Sequence, residues 1–146
     1  MRFFVDENLD GLAFVEPLRS AGVDVVRHRD LFAQGVPDTK WLPAVATDGL
    51  VVLTADVRIR FRPLEVAAIV ESRARVLMLR KGKNMTHPRL AALLIRSQPV
   101  VTTFFATCRA PCVAVLASRP DSDDPLETKP GRMTVKSLGT PGASAP

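Results

Sequence analysis

Three aspartates carry the chemistry that this sequence could perform. Asp6 closes the apolar stretch Arg2-Phe3-Phe4-Val5, and Asp56 follows Leu50-Val51-Val52-Leu53-Thr54 after one residue. Asp38 opens a segment with apolar Trp41, Leu42, Val45 and Ala46. Taken singly, each has an ordinary use as strand terminator, turn former or helix N-cap. Brought to one point they repel, since two unit charges ~4 Å apart cost about 4 kcal/mol at an effective dielectric near 20. A hard divalent cation reverses that sign. Oxygen donors with no thiolate nearby point to Mg²⁺ or Mn²⁺ rather than zinc. Such an ion acidifies bound water and steadies charge on a phosphoryl group, so no side-chain nucleophile is required. Asp6, Asp38 and Asp56 are therefore the expected metal and catalytic residues. Three neighbours are candidates for support. Asn8 either orders a metal-bound water or caps a helix, and Thr54 either bonds an acid or only fills a strand. Glu7 is either exposed or reaches the metal.

The surrounding elements decide whether the acids can meet. Apolar stretches predict strands at 2–5, 23–26, 50–54, 76–79 and 112–116. Helical spacing predicts helices at 9–21, 38–48, 63–71, from Thr86 through Leu94, and from Pro99 through Cys108. Pro17 and Pro43 call for kinks or late starts. Residues 27–37 read as a loop. Strands alternating with helices predict an α/β fold, a three-layer domain around a central, mainly parallel five-stranded sheet. Ligands in such sheets sit beyond the carboxyl ends of the strands. Asp6 and Asp56 follow strands directly. Asp38 heads a helix that starts at that same edge, so all three can converge. The domain is expected over 1–120. Residues 121–146, rich in Asp, Pro, Gly, Ser and Thr, are expected to form a flexible, disordered tail.

Charge is unevenly spread. The net charge is +5. Residues 1–56 carry five bases against nine acids, a balance of −4, whereas 57–109 carry eleven bases against two, a balance of +9. Arg58, Arg60 and Arg62 alternate directly after Asp56. In an extended segment they share one side, where guanidinium forks could clamp a phosphodiester. Arg80, Lys81 and Lys83 follow the fourth strand at the same edge, and together these bases could form an RNA track. Aromatics near the loops are few, so backbone and shape recognition is expected over base stacking.

The 146 residues are 47% apolar, enough for a core in a single domain. No apolar run reaches the ~18–20 residues that span a bilayer. An acid at position 6 falls where a secretory signal would still be apolar, so a cytoplasmic, reducing setting is expected. Cys108 and Cys112 are too few for a disulfide framework and lack further metal ligands. His28 and His87 lie in different elements, which disfavours a histidine pair.

Phe3-Phe4-Val5-Asp6-Glu7-Asn8-Leu9 resembles the opening of PIN-like domains. Asp38 heading a helix, then Gly49 and a strand ending Thr54-x-Asp56, is similar to the second half of the PIN acidic site. The basic run Arg58-x-Arg60-x-Arg62-Pro63-x-Glu65 and Val76-Leu77-Met78-Leu79-Arg80 also fit the compact branch seen in VapC-type toxins. The resemblance covers Met1 to about Pro120. It implies a Mg²⁺-dependent endoribonuclease, the toxin of a toxin–antitoxin pair, held in check by a small antitoxin protein. Many such domains form dimers, so a homodimer is implied as well. Asp6, Asp38 and Asp56 match the family's acids. Fuller PIN domains carry another acid on an earlier helix that has no clear counterpart here, and Glu7 or Glu65 could substitute.

Two other classes remain. A non-catalytic RNA-binding or interaction module would bind RNA and leave it intact. A phospho-acceptor receiver domain would use Asp6-Glu7, Asp56 and Lys81 or Lys83. Receivers, however, continue from that Asp into a Met-Pro turn, absent in Val57-Arg58-Ile59-Arg60, and Asp38 would be idle.

Overall fold

A computed structural model of the chain describes residues 1–82, 85–119 and 128–138. The element order is β1 (Arg2–Val5), α1 (Leu12–Ser20), β2 (Asp24–Arg27), α2 (His28–Leu31), α3 (Asp38–Thr47), β3 (Val51–Thr54), α4 (Pro63–Ser72), β4 (Arg75–Leu79), α5 (His87–Arg96), α6 (Gln98–Thr107), β5 (Cys112–Ala117) and β6 (Arg132–Lys136). The strands form one sheet in the order β2-β1-β3-β4-β5-β6. The first five are parallel, and β6 runs antiparallel to β5.

Unbroken apolar runs in β1, β3, β4 and β5 follow from helices on both faces. On one face Phe14, Val15 and Leu18 of α1 pack with Leu90, Leu93 and Leu94 of α5 and Val101 and Phe105 of α6. On the other, Trp41, Leu42 and Val45 of α3 pack with Ala68 and Ile69 of α4 against Phe4, Val52, Val76 and Met78. Each fully buried large side chain contributes roughly 1.5–3 kcal/mol. Among the described residues no single helix is long and apolar enough to cross a membrane. The bent pair α5–α6 passes only together, across a 65° break.

Three expectations are corrected here. The helix expected at 9–21 starts late, at Leu12. Leu9 is fully buried and held in a turn by its N–H on the Asp6 carbonyl, and Gly11 is the N-cap. The loop expected at 27–37 contains the short helix α2, where Asp30 accepts from the Arg27 N–H. The five-stranded sheet has six strands among the described residues, because residues 132–136, within the expected tail, form β6.

β6 is docked closely. Gly131 brings the chain against the sheet, where an added Cβ would lie 2.7 Å from the Ala117 carbonyl and 2.8 Å from Leu93 Cδ1. Its N–H donates to buried Ser97 Oγ at 2.8 Å. Only glycine fits that approach. Cys108 and Cys112, too few for a disulfide framework and expected in a reducing setting, are joined in one disulfide across the turn into β5, with Cα atoms 6.6 Å apart.

Candidate active site

The carboxyl ends of β1 and β3 lie side by side, with Val5 paired to Leu53. The Asp6 N–H continues that ladder by donating to the Leu53 carbonyl at 2.9 Å. Asp6 thus extends the ladder one residue past β1, and only 5% of its surface is exposed. Its Oδ1 accepts the Glu7 N–H at 2.7 Å, and its Oδ2 accepts the Thr54 hydroxyl at 2.9 Å. Burial pushes its pKa up, and these two hydrogen bonds restrain the rise.

Thr54 links two of the acids. While donating to Asp6, its Oγ1 accepts the Asp56 N–H at 3.0 Å. A β-branched residue ending a buried strand can present a hydroxyl at that point without leaving the sheet. Asn8 ties the same two loops together, its side-chain oxygen accepting the Ala55 N–H at 3.4 Å.

Asp38 is the first residue of α3, after Pro37 in the N-cap position. It makes no capping hydrogen bond, so the N-cap reading is set aside. Its pKa is pushed up to about 6, first by burial and then by the negative charges of Asp6 and Glu65. Asp56 adds to the same push, so four carboxylates act on one region. Glu65, in the first turn of α4, is the fourth acid.

Arg62 lies among them. It is ion-paired through Nη2 to Asp56 and, at 3.6 Å, to Asp38. Its Nε lies 3.2 Å from Glu65 Oε1. Burial alone would lower its pKa, but the bond to Asp56 and the surrounding charges outweigh that and raise it. The guanidinium is therefore a permanent cation set among three acids.

This corrects the expected arginine stripe. Residues 57–61 form turns rather than an extended strand. Asp56 Oδ1 accepts the Arg58 N–H at 3.1 Å, and the fully buried Ile59 anchors the bend. The three arginines therefore diverge. Arg58 is exposed, and Arg60 lies over the Phe61 ring at 3.8 Å and donates to the Ser137 carbonyl at 3.2 Å. Arg62 turns into the acids.

Glu7 is exposed, and its Oε2 accepts the Gly35 N–H at 3.2 Å. It faces a cleft of about 200 Å³ shared with Asp10, His28, Arg29 and Gln34. Arg80 and Lys81 follow β4 and are exposed, while Lys83 lies outside the described residues.

Sequence reasoning missed Asp10. It is 2% exposed and bonds the Arg29 guanidinium at 2.7 Å and the Arg29 N–H at 3.1 Å. Burial would raise its pKa, but those bonds prevail and lower it. The pair fastens the loop after β1 to α2. His28 is buried among Phe4, Phe32 and Trp41, so it is a packing residue rather than half of a histidine pair.

The donor chemistry at the site fits a hard divalent cation: four carboxylates with a hydroxyl and an amide oxygen close by. Among the described residues, however, no three His, Cys, Asp or Glu side chains form a ready ligand group. Arg62 supplies the positive charge among them instead.

A family model described as a PIN-like domain matches residues 1–81, more than half of the chain, and the chain belongs to that family. The match takes in Asp6, Asp38, Asp56, Arg62 and Glu65, and ends before α5. PIN-like domains are typically nucleases. No curated protein and no solved structure matches the chain.

Proposed function

We propose that the chain is a metal-dependent endoribonuclease that hydrolyses RNA phosphodiester bonds, and that it is the toxin of a toxin–antitoxin pair. The observation that carries the reading is the gathering of Asp6, Asp38, Asp56 and Glu65 at one sheet edge, with Asp38 driven up to about 6 by burial and its neighbours' charge. Like charges held together at a structural cost are characteristic of functional sites.

Asp6, Asp38 and Asp56 would hold Mg²⁺ or Mn²⁺, with Glu65 in place of the missing family acid. The ion would supply an acidified water and charge stabilisation for the phosphoryl group. The chain's own residues do the positioning. Thr54 fixes the direction of Asp6 and the backbone of Asp56. Asn8 holds the two acid-bearing loops in register. Arg58, exposed beside Asp56, can take a phosphate oxygen in a two-point grip. A small antitoxin protein and a second copy of the chain are the proposed partners, and the cytoplasm is the proposed setting.

The test is cleavage of single-stranded RNA by the purified chain with Mg²⁺ or Mn²⁺, set against EDTA and Asp56→Asn. A second reading has its own support. Arg62 already neutralises three of the acids, as it would in a non-catalytic RNA-binding module. That reading expects RNA binding without cleavage under every metal condition.

A further inference from the structure

α3 and α4 cover their face of the sheet over β1, β3 and β4. Beyond β4, Val113 and Val115 of β5 continue the same buried face, and Leu138 packs against it. This side holds a cleft of about 370 Å³ with Val115 and Ala117 of β5 in its floor. Arg80 at the end of β4 lines it, and so do Arg132, Thr134 and Lys136 of β6. The β6 residues alternate in sequence and so share a face, while Met133 packs against the core on the other side. The register sets Arg132 beside Ala117 and Thr134 beside Val115.

Three cations thus surround one cleft. None of them makes an ion pair or side-chain hydrogen bond to a described residue. Like charges gathered with no acid paired to them among the described residues repel, and a bound polyanion removes that cost. Charged side chains on an edge strand also discourage edge-to-edge pairing. That purpose does not account for Arg80, which follows an interior strand. One hydrogen bond links the end of β6 to the loop that carries Arg62. The Ser137 carbonyl, one residue past Lys136, accepts from Arg60, and Arg60 lies two residues from the Arg62 that pairs with Asp56.

We infer that this cleft seats the phosphodiester backbone of a single RNA strand leading to the acidic site. Two residues of β6 advance ~6.8 Å, close to the separation of successive phosphates on an extended strand. Arg132 and Lys136 hold two phosphates, Thr134 donates between them, and Arg80 grips from the opposite wall. The apolar floor accepts sugar and base edges without selecting a sequence. The inference rests on the nuclease reading for its substrate, yet the residues of β6 lie outside the part of the chain that matches the family model.

The test is binding of fluorescein-labelled oligouridylate to the full chain in EDTA across a salt series. Four proteins are compared: wild type, Arg132→Gln/Lys136→Gln, Arg80→Gln, and Arg109→Gln as a control at an exposed cation outside the cleft, in the turn before β5. The double variant is expected to bind about tenfold more weakly at low salt. Its log Kd against log salt slope should fall by about 1.4, two phosphate contacts at ~0.7 each. Arg109→Gln should match wild type. Arg80→Gln alone should lower the slope by about 0.7, one phosphate contact. An unchanged slope in the double variant would overturn the cleft as the RNA seat, even if wild type cleaves RNA. Tighter binding of polyglutamate than of RNA would overturn it in favour of an acidic protein partner. Binding that follows the predicted slopes without cleavage in any metal would keep the seat and overturn the nuclease reading instead.

Discussion

The Thr54 hydroxyl donates to Asp6 at 2.9 Å, and both residues are buried. Because the same oxygen accepts the Asp56 N–H, one hydroxyl orders two of the three family acids. Thr54→Val keeps the shape of β3 and removes only that bridge. It leaves Asp6 Oδ2 and the Asp56 N–H unpaired, at a cost of about 1–3 kcal/mol. Urea denaturation should show that loss. RNA cleavage should fall by at least tenfold, whereas Thr54→Ser should retain most of both. A Val variant as stable and active as wild type would show the bridge to be idle.

Asp38 and stability against pH are linked with a defined sign. Its folded pKa, about 6, lies above its ordinary value of 3.8. The folded state therefore binds more protons than the unfolded state between those values, and stability falls as pH rises through that window. Asp38→Asn should stabilise the chain at pH 8 by about 1–3 kcal/mol. The gain should shrink below pH 6 and vanish near pH 4. Denaturation curves at three pH values check it, and a loss of stability at pH 8 would reverse the sign.

Asp10 has the opposite sign. Its folded pKa lies below 3.8, held down against burial by the Arg29 bonds. Its contribution is therefore complete above about pH 4 and fades as pH drops through the lower folded value. Asp10→Asn should cost about 1–3 kcal/mol at pH 7 and progressively less as pH falls below 4. Activity loss should track the unfolded fraction, because Asp10 lies in the neighbouring cleft and not among the acids.

Arg62→Gln should leave Asp38, Asp56 and Glu65 without their internal cation. Arg62 is partly exposed, so the expected destabilisation in EDTA is modest, about 1 kcal/mol. Mn²⁺ should raise the melting temperature of this variant more than that of wild type, since it meets less competition from a resident guanidinium. An equal shift in both proteins would mean that Arg62 and the metal do not share the acids.

The sheet was legible wherever burial leaves a simple pattern. Leu50-Val51-Val52-Leu53 shows no alternation because β3 is covered on both faces, and Asp56 could be placed at its carboxyl end from that alone. Thr86 signalled the start of α5 and does accept the Arg89 N–H. β6 was not legible. Arg-Met-Thr-Val-Lys is short, mostly exposed and set among Pro, Gly and Ser, and its pairing with β5 depends on the close approach of Gly131. The arginine stripe misled because alternation implies a shared side only in extended chain, and the Asp56 side chain bends this segment. Glu65 was legible only as one of two residues, with Glu7, that could substitute for the further family acid. Its approach to Asp38, however, depends on how α3 and α4 pack, which no local pattern encodes.

The most direct test of the acidic site is single-stranded RNA cleavage by wild type and Asp56→Asn, each with Mn²⁺ and with EDTA. Cleavage by wild type that requires Mn²⁺ and falls by about 10²-fold or more in Asp56→Asn is the predicted result. Cleavage that persists in EDTA, or that Asp56→Asn retains in full, would contradict the assignment of these carboxylates.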